Sequence, residues 1–262
     1  MIQTVKTNGF ETDYFRFGKE GAQPLAVIPG LSLISVMTFA DMVAKAYDCY
    51  AKDRDVILLD RRKQLPDEYS LTDMAEDTAA VLDKLGIKNS DIIGVSQGGI
   101  IALLLALSRP DLVRSLALCS TAASLSESSE GAVKAWVSSA KAGDKESLVR
   151  SFGEYVYTPS FFEANKAGIL GMARIVGEEE LERFAVLAGA LTEVDLRSRL
   201  GEIKVPACVF AGAEDRIFTR ESFTELSEGL RCELKLFEGY GHAVYDEMAG
   251  FHDAVNGFFH SI

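Results

Sequence analysis

An α/β fold with a mostly parallel sheet and helices on both faces is predicted by three features of this chain. Apolar strand-like runs alternate with helical patterns. Several of those runs are apolar throughout, as strands covered on both faces are. One passes through Gly94-Val95-Ser96-Gln97-Gly98 directly into an apolar helix.

Residues 2–6 and 12–17 alternate apolar and polar side chains and read as strands. The turn at Asn8-Gly9 between them suggests an antiparallel start. Residues 25–28 form a short apolar strand ending in Pro29-Gly30, and a helical stretch spans about 36–50. Residues 56–59 make a fully apolar strand closed by Asp60. Ser70 and Asp73 form a variant capping box before a helix starting near Leu71. Met74, Val81, Leu82 and Leu85 recur in it at helical spacing, and Gly86 stops it. Residues 91–95 are the next strand, 97–108 a strongly apolar helix stopped by Pro110, and 112–119 another strand.

From Ser120 the pattern changes. Residues 124–130 are serine-rich and polar, and helical segments then continue to about Leu200, with starts expected at Asp144, Thr158-Pro159 and Thr192. Strands return at 207–211 and 233–237, and a last helix is expected from about Asp246 to Phe259. The helical block is too long for a plain connection. It reads as a cap inserted over the strand ends, where open α/β sheets place their sites. The expected organisation is a core of residues 1–122 and 201–262 with a cap of residues 123–200.

The chain has 262 residues, 48% of them hydrophobic, and a formal net charge of −12. Such a surface repels phosphate backbones and anionic lipid, so neither nucleic acid nor a membrane is an expected partner. Residues 1–6 lack a secretory pattern, and no apolar run is long enough to cross a bilayer, which predicts a cytoplasmic protein. Cys49, Cys119, Cys208 and Cys232 are scattered, with no metal or redox spacing. They are expected as reduced thiols, and no metal site is predicted.

The Gly94–Gly98 turn carries the chemistry. A serine on a tight strand-to-helix turn has a strained backbone and needs neighbours without bulk, while the helix N-terminus behind it favours negative charge. Ser96 is therefore the candidate nucleophile. Of the three histidines, only His242 lies in a loop directly after a strand, where a base can reach such a serine. Asp215 also follows a strand, one strand earlier, and is the candidate acid, with Glu214 as its rival. The order Ser, Asp, His completes the pattern. Two backbone N–H groups should face a developing oxyanion, those of Gln97 and Leu31. Trp136, Tyr155, Tyr157, Phe161 and Phe162 are candidates for lining a substrate pocket or for the core of the cap.

With these motifs in place the chain resembles the α/β-hydrolase superfamily. The landmarks are Pro29-Gly30-Leu31, Asp60-Arg61-Arg62, Asp77, Gly94 to Gly99, Val205-Pro206, Gly212 to Asp215 and Gly241-His242. The resemblance implies an eight-stranded core, a helical cap and esterase-like chemistry on a small-molecule acyl substrate, with no cofactor. Two departures stand out. Many relatives carry His-Gly where this chain has Pro29-Gly30, and many have a glycine where Lys63 follows Asp60-Arg61-Arg62. Carbon–carbon bond hydrolysis, lyase or perhydrolase chemistry on the same residues, and a ligand-binding protein without turnover, are the alternatives.

Overall fold

The computed structural model describes residues 1–262. Its strands are β1 (Ile2–Thr7), β2 (Phe10–Gly18), β3 (Gln23–Ile28), β4 (Arg54–Arg62), β5 (Ser90–Val95), β6 (Val113–Cys119), β7 (Ala207–Gly212) and β8 (Glu233–Phe237). They form one eight-stranded sheet in the order β1-β2-β4-β3-β5-β6-β7-β8, matching the expected fold class. Asn8 and Gly9 both have positive φ, as the two central residues of a tight hairpin turn require, and β1 pairs antiparallel with β2. The β2–β4 pair is also antiparallel, and every pairing from β4 onward is parallel.

The helices are α1 (Ala40–Ala46), α2 (Asp48–Ala51), α3 (Leu71–Lys84), α4 (Gln97–Ser108), α5 (Glu127–Lys141), α6 (Lys145–Val156), α7 (Pro159–Gly171), α8 (Glu178–Gly189), α9 (Arg220–Leu230), α10 (Val244–Glu247) and α11 (Phe251–His260). The apolar strands are covered on both faces. Ala26 and Ile28 of β3 pack into the core shared with α3, α4 and α9, while Leu25 and Val27 face the core shared with α1, α2 and α11. The capping box at Ser70 is present, with Ser70 and Asp73 bonded reciprocally. Between β6 and β7 the chain forms α5 to α8 and short 3₁₀ turns, with one isolated bridge from Ser124 to Asp195.

The chain path fixes where a site can sit. From β3 the sheet is extended on one side by β4 and on the other by β5, so the loops after β3 and β5 part at their carboxyl ends. That crevice is the usual ligand position in open α/β sheets. At the opposite end, the otherwise surprising Asp91 within an apolar strand is explained. It is wholly buried and accepts from Arg54, Arg114 and Ser115.

Several boundaries differ from the sequence reading. The expected helix over 36–50 is a 3₁₀ turn (Val36–Phe39) followed by α1 and α2, broken where Tyr47 takes φ −93° and ψ 15°. The last helix begins at Phe251 rather than Asp246. Gly250, at φ 83°, separates it from the single turn of α10. Thr192 starts no helix. It lies inside the 3₁₀ turn Ala190–Glu193, its hydroxyl donating back to the Gly189 carbonyl. Helix α9 was not expected at all.

Candidate active site

The site is assembled from three strand ends. Ser96 sits between β5 and α4 with φ 51° and ψ −119°, a conformation that costs about 1–3 kcal/mol for a residue with a side chain. Its surroundings hold it there. The Ser96 N–H donates to the Cys119 carbonyl at 2.8 Å, and the Thr121 hydroxyl donates to the Ser96 carbonyl at 2.8 Å. Gly98 permits the tight turn, because a Cβ there would lie 2.0 Å from the Ile28 carbonyl oxygen. Any side chain at position 98 would push α4 away from β3.

His242 follows β8 and is 3% exposed. Its Nε2 lies 2.9 Å from Ser96 Oγ and its Nδ1 lies 2.7 Å from Asp215 Oδ2. The other carboxylate oxygen, Oδ1, accepts from the N–H groups of Ile217 at 2.7 Å and Phe218 at 3.0 Å. Those two bonds fix which oxygen is presented to the imidazole. Glu214 is exposed and takes no part in this chain of contacts. His252 is held elsewhere, beside the Tyr50 hydroxyl at 3.2 Å, and burial lowers its pKa to about 4. His260 pairs with Asp53 on the surface.

Of the two expected oxyanion donors, Gln97 directly follows the serine in the chain, and Leu31 follows Gly30, which does touch it. Gln97 opens α4, so its N–H lies outside the intrahelical ladder. Gly30 abuts Ser96: a Cβ there would stand 3.1 Å from Ser96 Cβ. The space beside this loop is lined chiefly by polar groups, among them Ser32, Ser35, Arg61, Gln97 and Arg183.

The aromatic candidates do not gather round Ser96 as a set. Trp136 is 2% exposed, packs edge-on against Phe152 and Tyr155, and donates its indole N–H to Ser151 Oγ at 3.2 Å. Phe162 is buried over Gly153, between α6 and α7. Both are interior residues of the helical segment. Tyr157 and Phe161 stack with centroids 4.9 Å apart, and the Tyr157 hydroxyl donates to Asp246 at 3.3 Å.

Sequence reasoning missed how the loop bearing His242 is tied to that segment. The Ala243 N–H donates to the Val156 carbonyl at 2.9 Å, and Glu247 accepts from both the N–H and the hydroxyl of Thr158 at 2.7 Å each. Neighbouring Asp246 is raised to about 6, mainly by burial, with Glu247 adding repulsion and the Tyr157 hydroxyl opposing both. Its folded pKa thus lies above the usual carboxylate value. The native state holds the extra proton between about pH 4 and 6, so stability from this group falls as pH rises through that window. Asp246 is itself exposed, so solvent screening shrinks the effect: Asp246→Asn is expected to raise stability at pH 8 by less than about 1 kcal/mol and to leave it unchanged below about pH 4, as read by urea denaturation at the two pH values.

The comparisons with known proteins agree on the fold. Residues 24–151 match the family model described as the alpha/beta hydrolase fold. The 3-oxoadipate enol-lactonase 2 of Acinetobacter baylyi is 27% identical over 154 residues, covering 58% of this chain and 56% of that protein. The chain thus spans little more than half the length of this curated relative. Among solved structures, an alpha/beta hydrolase enzyme from a Medee basin deep-sea metagenome library superposes with a TM-score of 0.88 at 22% identity, covering 98% of this chain and 97% of the other. The enol-lactonase from Burkholderia xenovorans LB400 superposes with a TM-score of 0.83 at 24% identity, covering 98% and 99%. No helix is long and apolar enough to cross a membrane.

Proposed function

This chain carries the α/β-hydrolase fold, and from that premise we propose that it is a serine hydrolase cleaving a carboxylic ester or related acyl bond of a small molecule. The observation that carries the reading is the unbroken line from Asp215 Oδ2 through His242 to Ser96 Oγ, at 2.7 and 2.9 Å. Asp215 holds the proton on Nδ1, which leaves Nε2 free to accept the serine proton. Ser96 Oγ then attacks the acyl carbonyl, and the N–H groups of Leu31 and Gln97 stabilise the oxyanion that forms. His242 returns the proton to the leaving group. Water, deprotonated by the same imidazole, releases the acid from the acyl-enzyme.

Residues 123–200 act in this reading as the cap of the pocket. It is supported by contacts from the helical segment to the Ser96 and His242 regions, the Gln97 to Leu187 bond and the Ala243 to Val156 bond. A reducing, cytoplasmic setting is inferred from four free cysteines, two of them fully interior. The enol-lactonases above make cyclic esters a natural part of the substrate panel.

The test is a panel of p-nitrophenyl esters, small lactones and vinylogous diketones assayed side by side. Ester or lactone turnover at least tenfold above diketone turnover is expected. Preferential diketone cleavage would move the assignment to carbon–carbon bond hydrolysis. High-affinity binding of panel members without any turnover would make the chain a ligand-binding protein.

A further inference from the structure

We propose that Arg61 is a positioning residue that holds both oxyanion donors in place, one through the Pro29 carbonyl and the other through the Gln97 side chain. The inference rests on the acyl-transfer reading above.

Arg61 is 6% exposed at the end of β4. Both bonds of its guanidinium come from a single nitrogen. Nη2 donates to the Pro29 carbonyl at 2.7 Å and, more weakly, to Gln97 Oε1 at 3.4 Å. Pro29 precedes Gly30-Leu31, the loop that bears one donor. Gln97 is the other donor's own residue. One planar, rigid group therefore spans the two segments that have to converge on the oxyanion.

A buried guanidinium is costly unless carboxylates recover its desolvation, and here no carboxylate bonds to it, Asp60 favouring its charge only through space. Asp60, the adjoining residue, is turned to the Arg61 backbone N–H, the Ser35 hydroxyl and Arg183. Arg61 Nε has no partner at all, and burial lowers the side chain to about 10, still charged at neutral pH. A residue kept for stability alone would have no reason to be a cation in this place. The arrangement extends into the helical segment. Gln97 Nε2 donates to the Leu187 carbonyl at 2.6 Å, and one turn earlier on α8 Arg183 donates to the carbonyls of Arg61, Arg62 and Lys63. The seating of α8 is thereby mechanically connected to the geometry of the oxyanion site.

The experiment compares Arg61→Met, Arg61→Lys and wild type in p-nitrophenyl acetate hydrolysis and in labelling by a fluorophosphonate, with Tm recorded for each. Displacing preorganised donors lowers reaction rates while leaving substrate affinity alone. For Arg61→Met we expect kcat and the labelling rate constant to fall about 10- to 100-fold, KM to stay within about twofold, and Tm to hold. Arg61→Lys, which keeps the charge on a single donor nitrogen but loses the planar fork, falls between. Wild-type kcat and labelling in Arg61→Met would overturn the proposal, as would a raised KM at unchanged kcat, which is the mark of direct substrate contact. If Arg61→Met does not fold, Gln97→Met decides, because it keeps the backbone N–H and removes both side-chain bonds. A fall in its kcat of about tenfold at unchanged KM is expected, and wild-type kcat overturns the proposal. Wild-type protein that resists the fluorophosphonate would sink the acyl-transfer reading itself, whereas equal labelling of wild type and Arg61→Met removes only the role of Arg61.

Discussion

Ser96→Ala is expected to lower kcat for p-nitrophenyl acetate by roughly 10⁴- to 10⁶-fold and to leave the fold intact. The large effect follows from what the hydroxyl alone supplies. No other side chain is bonded to His242 Nε2, so no second nucleophile stands ready to replace it. Stability should hardly move. The strained backbone at φ 51° is imposed by Gly98 lying on the Ile28 and Pro29 carbonyls and by the Cys119 and Thr121 bonds, none of which involves the Ser96 hydroxyl. Unchanged Tm with turnover gone would assign the loss to chemistry. A residual rate above the uncatalysed reaction is expected from the backbone donors.

Asp215→Asn should have the next largest effect, a fall in kcat of roughly 10³- to 10⁴-fold at neutral pH, by comparison with the same change in other serine hydrolases. Two N–H groups, from Ile217 and Phe218, point at Oδ1 and require an acceptor there. An asparagine will satisfy them with its oxygen, which places its NH₂ against His242 Nδ1. The imidazole must then accept at Nδ1 and carry its proton on Nε2, where it faces Ser96 and cannot take the serine proton. The substitution preserves shape and reverses the tautomer. Steady-state kinetics measure the fall, and a variant within tenfold of wild type would mean that Asp215 does not orient the base.

What could be read in the sequence was local. The Gly94–Gly98 turn declares itself because strain, small neighbours and the strand-to-helix change fall within a few residues. Asp215 and His242 were legible because each lies in a loop that follows a strand, and the topology carries those strand ends to one edge of the sheet. The sheet itself was legible from fully apolar runs such as residues 56–59. The helix over 220–230 did leave a signal, Thr219 as a cap followed by Phe223, Leu226 and Leu230 at helical spacing, but its polar composition masked it. The break at Tyr47 leaves no periodic mark, because Tyr47 and Tyr50 pack with His252 from the far end of the chain.

The part that stayed hidden depends on long-range convergence. Asp60-Arg61-Arg62 is visible as a motif, yet nothing local says that one guanidinium nitrogen will meet both Pro29 and Gln97. The tie between Glu247 and Thr158 is equally remote, across 89 positions. The aromatic candidates could not be sorted from sequence for the same reason. Trp136 and Phe162 have the composition of pocket walls and the burial of core residues.

The central claim is that the Ser96 hydroxyl is a nucleophile activated by His242, and the most direct test is to locate a covalent adduct. Wild-type protein treated with a fluorophosphonate and digested for peptide mass spectrometry should carry one phosphonyl group per chain, on Ser96. An unmodified protein, or a label on any other residue with Ser96 untouched, would contradict it.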